Sequence, residues 1–243
     1  MTALIMAFAG IVAGFVIDDL IARMAREPYQ RGELDEDDLR LKKNGGPALD
    51  LNSETGALAM PVLLTTRSWI RTAIVVAATA VLFALVGRRY QGDVWHVTIV
   101  AAYVSALIIC TATDVLAYRV PNAVTYPAIL GALVLGLAMP DANKLNVVAG
   151  GLVFGVLLFV PSVLTGGAMG MGDVKLAFFV GFALGLTFVV GAMLVMAISG
   201  GLAAALMLIT RVRGKGDPIP YAPFIAGGAL IVLLLQGTAF RAL

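Results

Sequence analysis

The sequence predicts an all-α membrane protein, a polytopic bundle of about eight transmembrane helices with one longer cytoplasmic loop. Of the 243 residues, 60% are hydrophobic and 13% are charged, and the mean hydropathy is +0.95. Soluble domains carry about 25% charged residues, so this composition indicates a chain embedded in a bilayer. Apolar stretches of about 20 residues, long enough to cross the hydrocarbon core, also recur along the chain.

Eight such stretches are predicted to span the membrane: Leu4 to Ala22, Trp69 to Val86, Val94 to Thr113, Ala123 to Ala138, Leu145 to Leu164, Val174 to Thr187, Phe188 to Ile209 and Tyr221 to Gly237. The sixth and seventh are nearly continuous. A single helix of that combined length would overshoot the hydrocarbon core, so a turn is predicted at Leu186 and Thr187. The first stretch is predicted to be a retained helix, because acidic and basic residues stand where a signal peptide has its small-residue cleavage site.

Residues 1–243 are predicted to form a single membrane-embedded domain with a cytoplasmic loop at about residues 27–67. The loop contains the acidic run Asp35 to Asp38 and has too little apolar surface to fold alone. The sole cysteine, Cys110, lies in the third apolar stretch, which excludes an intrachain disulfide and a thiolate zinc site. A net charge of +2 without a basic stripe argues against a nucleic-acid partner.

The distribution of basic residues predicts the orientation. Thirteen of the 17 Lys and Arg residues fall on the side of the loops that follow helices one, three, five and seven. The four on the opposite side are Arg88, Arg89, Lys144 and Arg241. Because cytoplasmic loops are enriched in Lys and Arg, the odd-numbered loops are predicted to face the cytoplasm and both termini the periplasm.

Four acidic residues flank predicted helices on that cytoplasmic side: Asp18, Asp19, Asp114 and Asp173. Taken singly, Asp173 could cap the sixth helix and Asp114 could pair with Arg119 at the membrane surface. Taken together, Asp114 and Asp173 could form a dyad in which an ionised carboxylate takes a proton from water and a protonated one polarises a peptide carbonyl. Helix ends at equal depth on the same side permit such a dyad without proving it.

Two motifs resemble the type IV prepilin peptidases, a family of GxGD membrane aspartyl proteases. The run Gly170, Met171, Gly172, Asp173, Val174, Lys175, Leu176 is similar to the family's GxGD motif, and Asp114 followed by Val120, Pro121 and Asn122 is similar to its Asp-x5-Ile-Pro-Asn segment. Weaker likenesses lie in the first helix, from Gly14 to Asp18, and before the last helix, from Ile219 to Phe224. The first helix departs from the pattern, with Phe15 in place of Ser and Asp18 in place of Asn.

This resemblance implies a membrane aspartyl endopeptidase of the bacterial inner membrane. Such an enzyme cleaves the basic leader from type IV prepilin or pseudopilin precursors at the cytoplasmic membrane face, so the implied partners are the precursor and the lipid bilayer. The implied catalytic residues are Asp114 and Asp173, with no metal, and the supporting residues are Gly170, Gly172, Lys175, Pro121 and Asn122. No pattern specifies an oligomeric state.

The family's second activity is N-methylation of the cleaved pilin. It requires S-adenosylmethionine and is associated with two cysteine pairs in the first cytoplasmic loop. That loop contains no cysteine here. We therefore expect no cofactor for the peptidase reaction. S-adenosylmethionine is expected only if the chain retains methylation, which would require that the family's cysteine site serves the fold rather than the chemistry.

Three residues near the motifs have expected local roles. Pro121 is expected to fix a turn and Asn122 to cap the fourth helix. Lys175 is expected either to extend towards lipid headgroups or to act on Asp173 through its charge. Two other classes remain open, a small ion or solute transporter that uses intramembrane acids and a presenilin-like intramembrane protease.

Overall fold

A computed structural model describes residues 1–31, 69–140, 142–164, 170–210, 220–239 and 241–242. These residues form seven helices: α1 (Thr2–Arg31), α2 (Trp69–Arg89), α3 (Val94–Ala117), α4 (Asn122–Ala138), α5 (Lys144–Leu164), α6 (Met171–Thr210) and α7 (Ala222–Leu235). A short antiparallel hairpin follows, made by β1 (Gly237–Thr238) and β2 (Arg241–Ala242). The predicted class, an all-α membrane protein, is confirmed.

Five of the seven described helices are long and apolar enough to cross a membrane, namely α1, α2, α3, α5 and α6. The apolar helices α4 and α7 are shorter, with 17 and 14 residues. The predicted number of eight spans is therefore not confirmed. Most predicted boundaries agree within a few residues, but α1 continues to Arg31, well beyond the predicted end at Ala22.

Helix α6 is interrupted at Gly185, which has φ 68° and ψ 169°. After this break Gly191 lies near Val232 in the last turns of α7, whereas Gly200 lies near Phe224 in its first turn. The second part of α6 therefore runs antiparallel to α7. The chain reverses its direction at Gly185, one residue before the turn predicted at Leu186.

Groups from other elements form hydrogen bonds with the polar groups that this break in α6 leaves without helical partners. The Asn146 side-chain oxygen accepts hydrogen bonds from the Thr187 amide at 2.9 Å and the Thr187 hydroxyl at 2.8 Å. The Ala239 amide, beside the terminal hairpin, donates to the Ala183 carbonyl at 2.9 Å. Because lipid offers no hydrogen bonds to an opened helix, these partners stabilise the reversal.

The buried core centres on α3, which contacts α1, α2, α4 and α7. Tyr103 of α3 also packs edge-on against Phe179 of α6, with 5.4 Å between the ring centroids. Helices α1 and α2 approach closely at Gly14, where an added Cβ would lie 2.7 Å from the Val76 Cα. Small residues permit such approaches between helices in lipid.

The carboxyl end of α7 is held by the end of α2. Arg89 donates to the carbonyls of Leu234 at 2.9 Å and Leu235 at 3.2 Å. The Tyr90 hydroxyl donates to the Leu233 carbonyl at 2.6 Å. The last carbonyls of a helix have no partners within the helix, so these donors satisfy them and fix the position of α7.

The predicted cytoplasmic loop lies largely outside the described residues. Residues 27–31 continue α1, and the described chain resumes at Trp69. The acidic run Asp35 to Asp38 falls in the interval between them, outside the described residues. The predicted orientation of the termini and loops stays a prediction.

Candidate active site

Asp114 lies in the last turn of α3 and is 5% exposed. The backbone carbonyl of Asp114 accepts a hydrogen bond from the Tyr118 amide at 2.8 Å. Tyr118 adopts the left-handed conformation, with φ 50°, that commonly ends helices. The helix therefore stops just after Asp114 and places this carboxylate at the end of the bundle.

The carboxylate of Asp114 is bonded to the start of another helix. Its Oδ2 accepts a hydrogen bond from the amide of Ala222, the first residue of α7, at 3.0 Å. The first amides of a helix lack partners within it and carry partial positive charge, which suits a carboxylate. Among the described residues this bond, and not the ion pair with Arg119 considered from the sequence, is what Asp114 makes. Helix α3 ends at Ala117, so Arg119 lies beyond the helix that contains Asp114.

Asp173 is the third residue of α6 and is 6% exposed. Its amide donates to the Gly170 carbonyl at 3.1 Å, which closes the turn formed by Gly170, Met171 and Gly172. Asp173 therefore lies within the first turn of α6 rather than at the cap position considered from the sequence. An acidic residue there still benefits from the positive end of the helix dipole.

Residues beside the two aspartates pack together. Cys110, one helical turn before Asp114, belongs to the same buried cluster as Val120, Val174 and Ala222. Val174 follows Asp173 directly, and the Ala222 amide donates to Asp114. Residues from α3, α6 and α7 thus meet at one end of the bundle.

Gly172 brings α6 against the connection between α3 and α4. A Cβ added to Gly172 would lie 2.8 Å from the Cβ of Val120, closer than side chains normally approach. Val120 follows Asp114 in the chain, and Gly172 precedes Asp173 directly. This contact therefore joins the two segments that contain the aspartates.

The supporting residues differ in part from their expected roles. Pro121 is the N-cap of α4, with φ −71°, and no side chain caps the helix there. The expectation that Asn122 caps α4 is wrong, because Asn122 is already the first helical residue. Its side-chain oxygen instead accepts a hydrogen bond from the Lys175 ammonium at 2.8 Å. Lys175 also lies 5.0 Å from the centre of the Tyr126 ring.

Asp18 and Asp19 have separate partners. Asp18 is buried and accepts hydrogen bonds from Arg71 at 2.8 and 3.3 Å and from the Thr72 hydroxyl at 2.8 Å. Asp19 forms an exposed ion pair with Arg23 at 2.7 Å. Asp18 therefore links α1 to α2.

Sequence reasoning missed the amide of Ala222 as a partner of Asp114. A partial signal was present, since Pro223 lies in the first turn of α7, a position that proline favours at helix starts. Proline placement predicts where the helix begins. It does not predict which carboxylate lies opposite that helix end.

The fold and the site together define a helical membrane protein with two buried aspartates on helix segments that pack together at one end of its bundle. Residues 101–209, which include both aspartates, match the type IV leader peptidase family. This match confirms the resemblance predicted from the motifs.

A curated relative shows the same resemblance. The prepilin leader peptidase/N-methyltransferase of Bacillus subtilis (strain 168) is 32% identical over 160 residues, which cover 64% of this chain and 62% of the relative. The match therefore spans less than two thirds of the relative's length. No solved structure matches the chain.

Proposed function

We propose that the protein is a membrane aspartyl endopeptidase that removes the basic leader from type IV prepilin or pseudopilin precursors. The observation that carries the proposal is the packing of the two segments that contain the buried residues Asp114 and Asp173: Gly172 lies against Val120, and Cys110 and Val174 belong to one buried cluster. The match of residues 101–209 to the type IV leader peptidase family supports it.

The proposed reaction needs one ionised and one protonated carboxyl group. The ionised member of the pair takes a proton from water while the water oxygen bonds to the scissile carbonyl carbon, and the protonated member donates to the carbonyl oxygen. When the carbon–nitrogen bond breaks, the leaving amine takes a proton from the pair and a hydroxyl group of the tetrahedral intermediate returns one, so the pair regains its single shared proton. The Ala222 amide holds the Asp114 carboxylate in place throughout.

The proposed site faces the cytoplasm at the bacterial inner membrane, with both termini in the periplasm. The excess of basic residues on that side of the chain supports this orientation. The apolar helix of the precursor would lie in the bilayer and present its basic leader at the cytoplasmic surface. Cleavage would then occur at the membrane surface, beside the two aspartates.

The proposal includes no cofactor for peptide hydrolysis. The name of the Bacillus subtilis relative includes an N-methyltransferase activity. We do not extend methyl transfer from S-adenosylmethionine to this chain, because the residues between α1 and α2 contain no cysteine.

The test is co-expression with a candidate prepilin, followed by the change in its electrophoretic mobility. Asp114→Asn and Asp173→Asn should each abolish processing, while each variant still purifies from membranes as a folded, monodisperse protein. Asp19→Asn is the matched control, because Asp19 is exposed and pairs only with Arg23 among the described residues. Processing by either dyad variant would reject the assignment.

A further inference from the structure

Two contacts join the segments that contain the aspartates. One is the steric contact between Gly172 and Val120. The other is the hydrogen bond of 2.8 Å from the Lys175 ammonium to the side-chain oxygen of Asn122. We call this second contact, between Lys175 and Asn122, the clasp.

The clasp acts at a distance from the reacting atoms. Lys175 is two residues after Asp173 and therefore lies on a different side of α6 from that carboxylate. Asn122 begins α4, beyond the turn that follows Asp114. The clasp consequently acts on the relative position of two backbone segments.

The ring of Tyr126 adds a second restraint on the Lys175 side chain. Tyr126 is one helical turn after Asn122, and its ring centre lies 5.0 Å from the ammonium. That distance permits a cation–π attraction. Lys175 thus contacts two successive turns of α4, which restricts sliding of α6 along α4 more than a steric contact alone would.

The chemistry of the acceptor also suits the site. An ammonium bonded to a neutral amide oxygen forms a charge-assisted hydrogen bond without a carboxylate. Asn122 therefore fixes Lys175 without placing a third negative charge near Asp114 and Asp173.

We propose that Lys175 and Asn122 are positioning residues, whose hydrogen bond sets the separation of Asp114 and Asp173 during peptide hydrolysis. This inference rests on the proposed function. A misplacement of about 1 Å can lower a rate about 100-fold. Loss of the clasp should accordingly lower kcat and leave KM nearly unchanged.

The experiment measures kcat and KM of the full chain in detergent with a purified prepilin. Lys175→Met, Asn122→Leu and the double variant should each lower kcat by roughly 10- to 100-fold. The double variant should be no slower than the slower single variant, because one bond is lost in all three. Lys175→Arg should retain most activity, since its guanidinium still donates to Asn122.

Two controls separate positioning from other roles. Asn122→Leu keeps the charge of Lys175, so a loss of kcat there excludes a purely electrostatic role of the ammonium. Lys144→Met removes an exposed lysine at the start of α5 and should leave kcat unchanged. The thermal unfolding midpoints of the clasp variants should equal that of the wild type, because both residues lie at the surface of the protein.

Three results would overturn the inference. The first is a double variant in which the kcat losses of the single variants multiply, and the second is a Lys175→Arg variant as slow as Lys175→Met. The third is a lowered unfolding midpoint that accounts for the loss of kcat. These outcomes differ from failure of the proposed function. In that case the wild type would not cleave the prepilin, or Asp114→Asn would cleave it.

Discussion

Three aspartates are buried in the described part of the chain, and their partners distinguish them. Asp18 faces a guanidinium and a hydroxyl, so its charge is compensated within the protein. Asp114 accepts a hydrogen bond from a neutral amide. A carboxylate without a cationic partner, held near a second carboxylate, suits proton transfer better than one bound in an ion pair.

Substitution of Gly172 tests whether its close contact with Val120 matters for cleavage. Gly172→Ala should lower the cleavage rate at least tenfold, because the new Cβ would lie 2.8 Å from the Val120 Cβ and push α6 away from the α3–α4 connection. The measurement is the rate of prepilin cleavage by the purified variant.

The second substitution Val120→Gly should restore part of that rate, since it removes the Val120 Cβ and Cγ2 atoms that lie nearest the new Cβ. Gly131→Ala is the matched control, because no atom lies within 4 Å of its added Cβ. Unchanged cleavage by Gly172→Ala would show that the contact does not position Asp173.

The motifs selected Asp114 and Asp173, and the structure buries both carboxylates. The sequence did not predict their partners. The bonds from Ala222 to Asp114 and from Lys175 to Asn122 depend on where α6 and α7 lie in space. Spacing along the chain does not contain that information.

Among the helices, α1 and α2 are linked by the buried pair of Asp18 and Arg71. Asp18→Asn should destabilise the protein by about 3–5 kcal/mol, because it leaves a buried guanidinium without its carboxylate. The measurement is thermal or denaturant unfolding in detergent.

Asp19→Asn is the adjacent control, since its pair with Arg23 is exposed. Its cost should be below about 1 kcal/mol. Equal effects of the two substitutions would contradict a structural role for the α1–α2 link.

Helix α6 provides a pair of glycines for which opposite effects are expected. Gly185→Ala should lower the unfolding midpoint, because φ is 68° and the new Cβ would overlap the side-chain amide of Asn146. Gly201→Ala should raise the free energy of unfolding slightly, by up to about 1 kcal/mol, since alanine favours the helix and the space around the new Cβ is open. A midpoint for Gly185→Ala at or above the wild-type value would contradict the reversal at this residue.

The apolar stretches predicted the helices because each must satisfy its own backbone in lipid, whatever its neighbours. The turn within the longest stretch was predicted from length alone at Leu186 and Thr187, close to Gly185. The bonds that stabilise it come from Asn146 and Ala239, which lie on other elements. Their contribution could not be predicted from the local sequence.

For the whole molecule, the predicted orientation can be measured with single cysteines in a Cys110→Ala background. Gln91→Cys, in the exposed turn between α2 and α3, should react with a membrane-impermeant thiol reagent added outside spheroplasts. Ala123→Cys, exposed in the first turn of α4, should react only after the membrane is opened. The reverse pattern would place Asp114 and Asp173 on the periplasmic face.

Helix α7 connects the two ends of the molecule. Its first amide donates a hydrogen bond to Asp114, and its last carbonyls accept hydrogen bonds from Arg89 and Tyr90. Its 14 residues make a rod about 21 Å long. A rigid helix held at both ends transmits an axial shift from one end to the other, so a change at Arg89 or Tyr90 would displace the Ala222 amide and, with it, the Asp114 carboxylate.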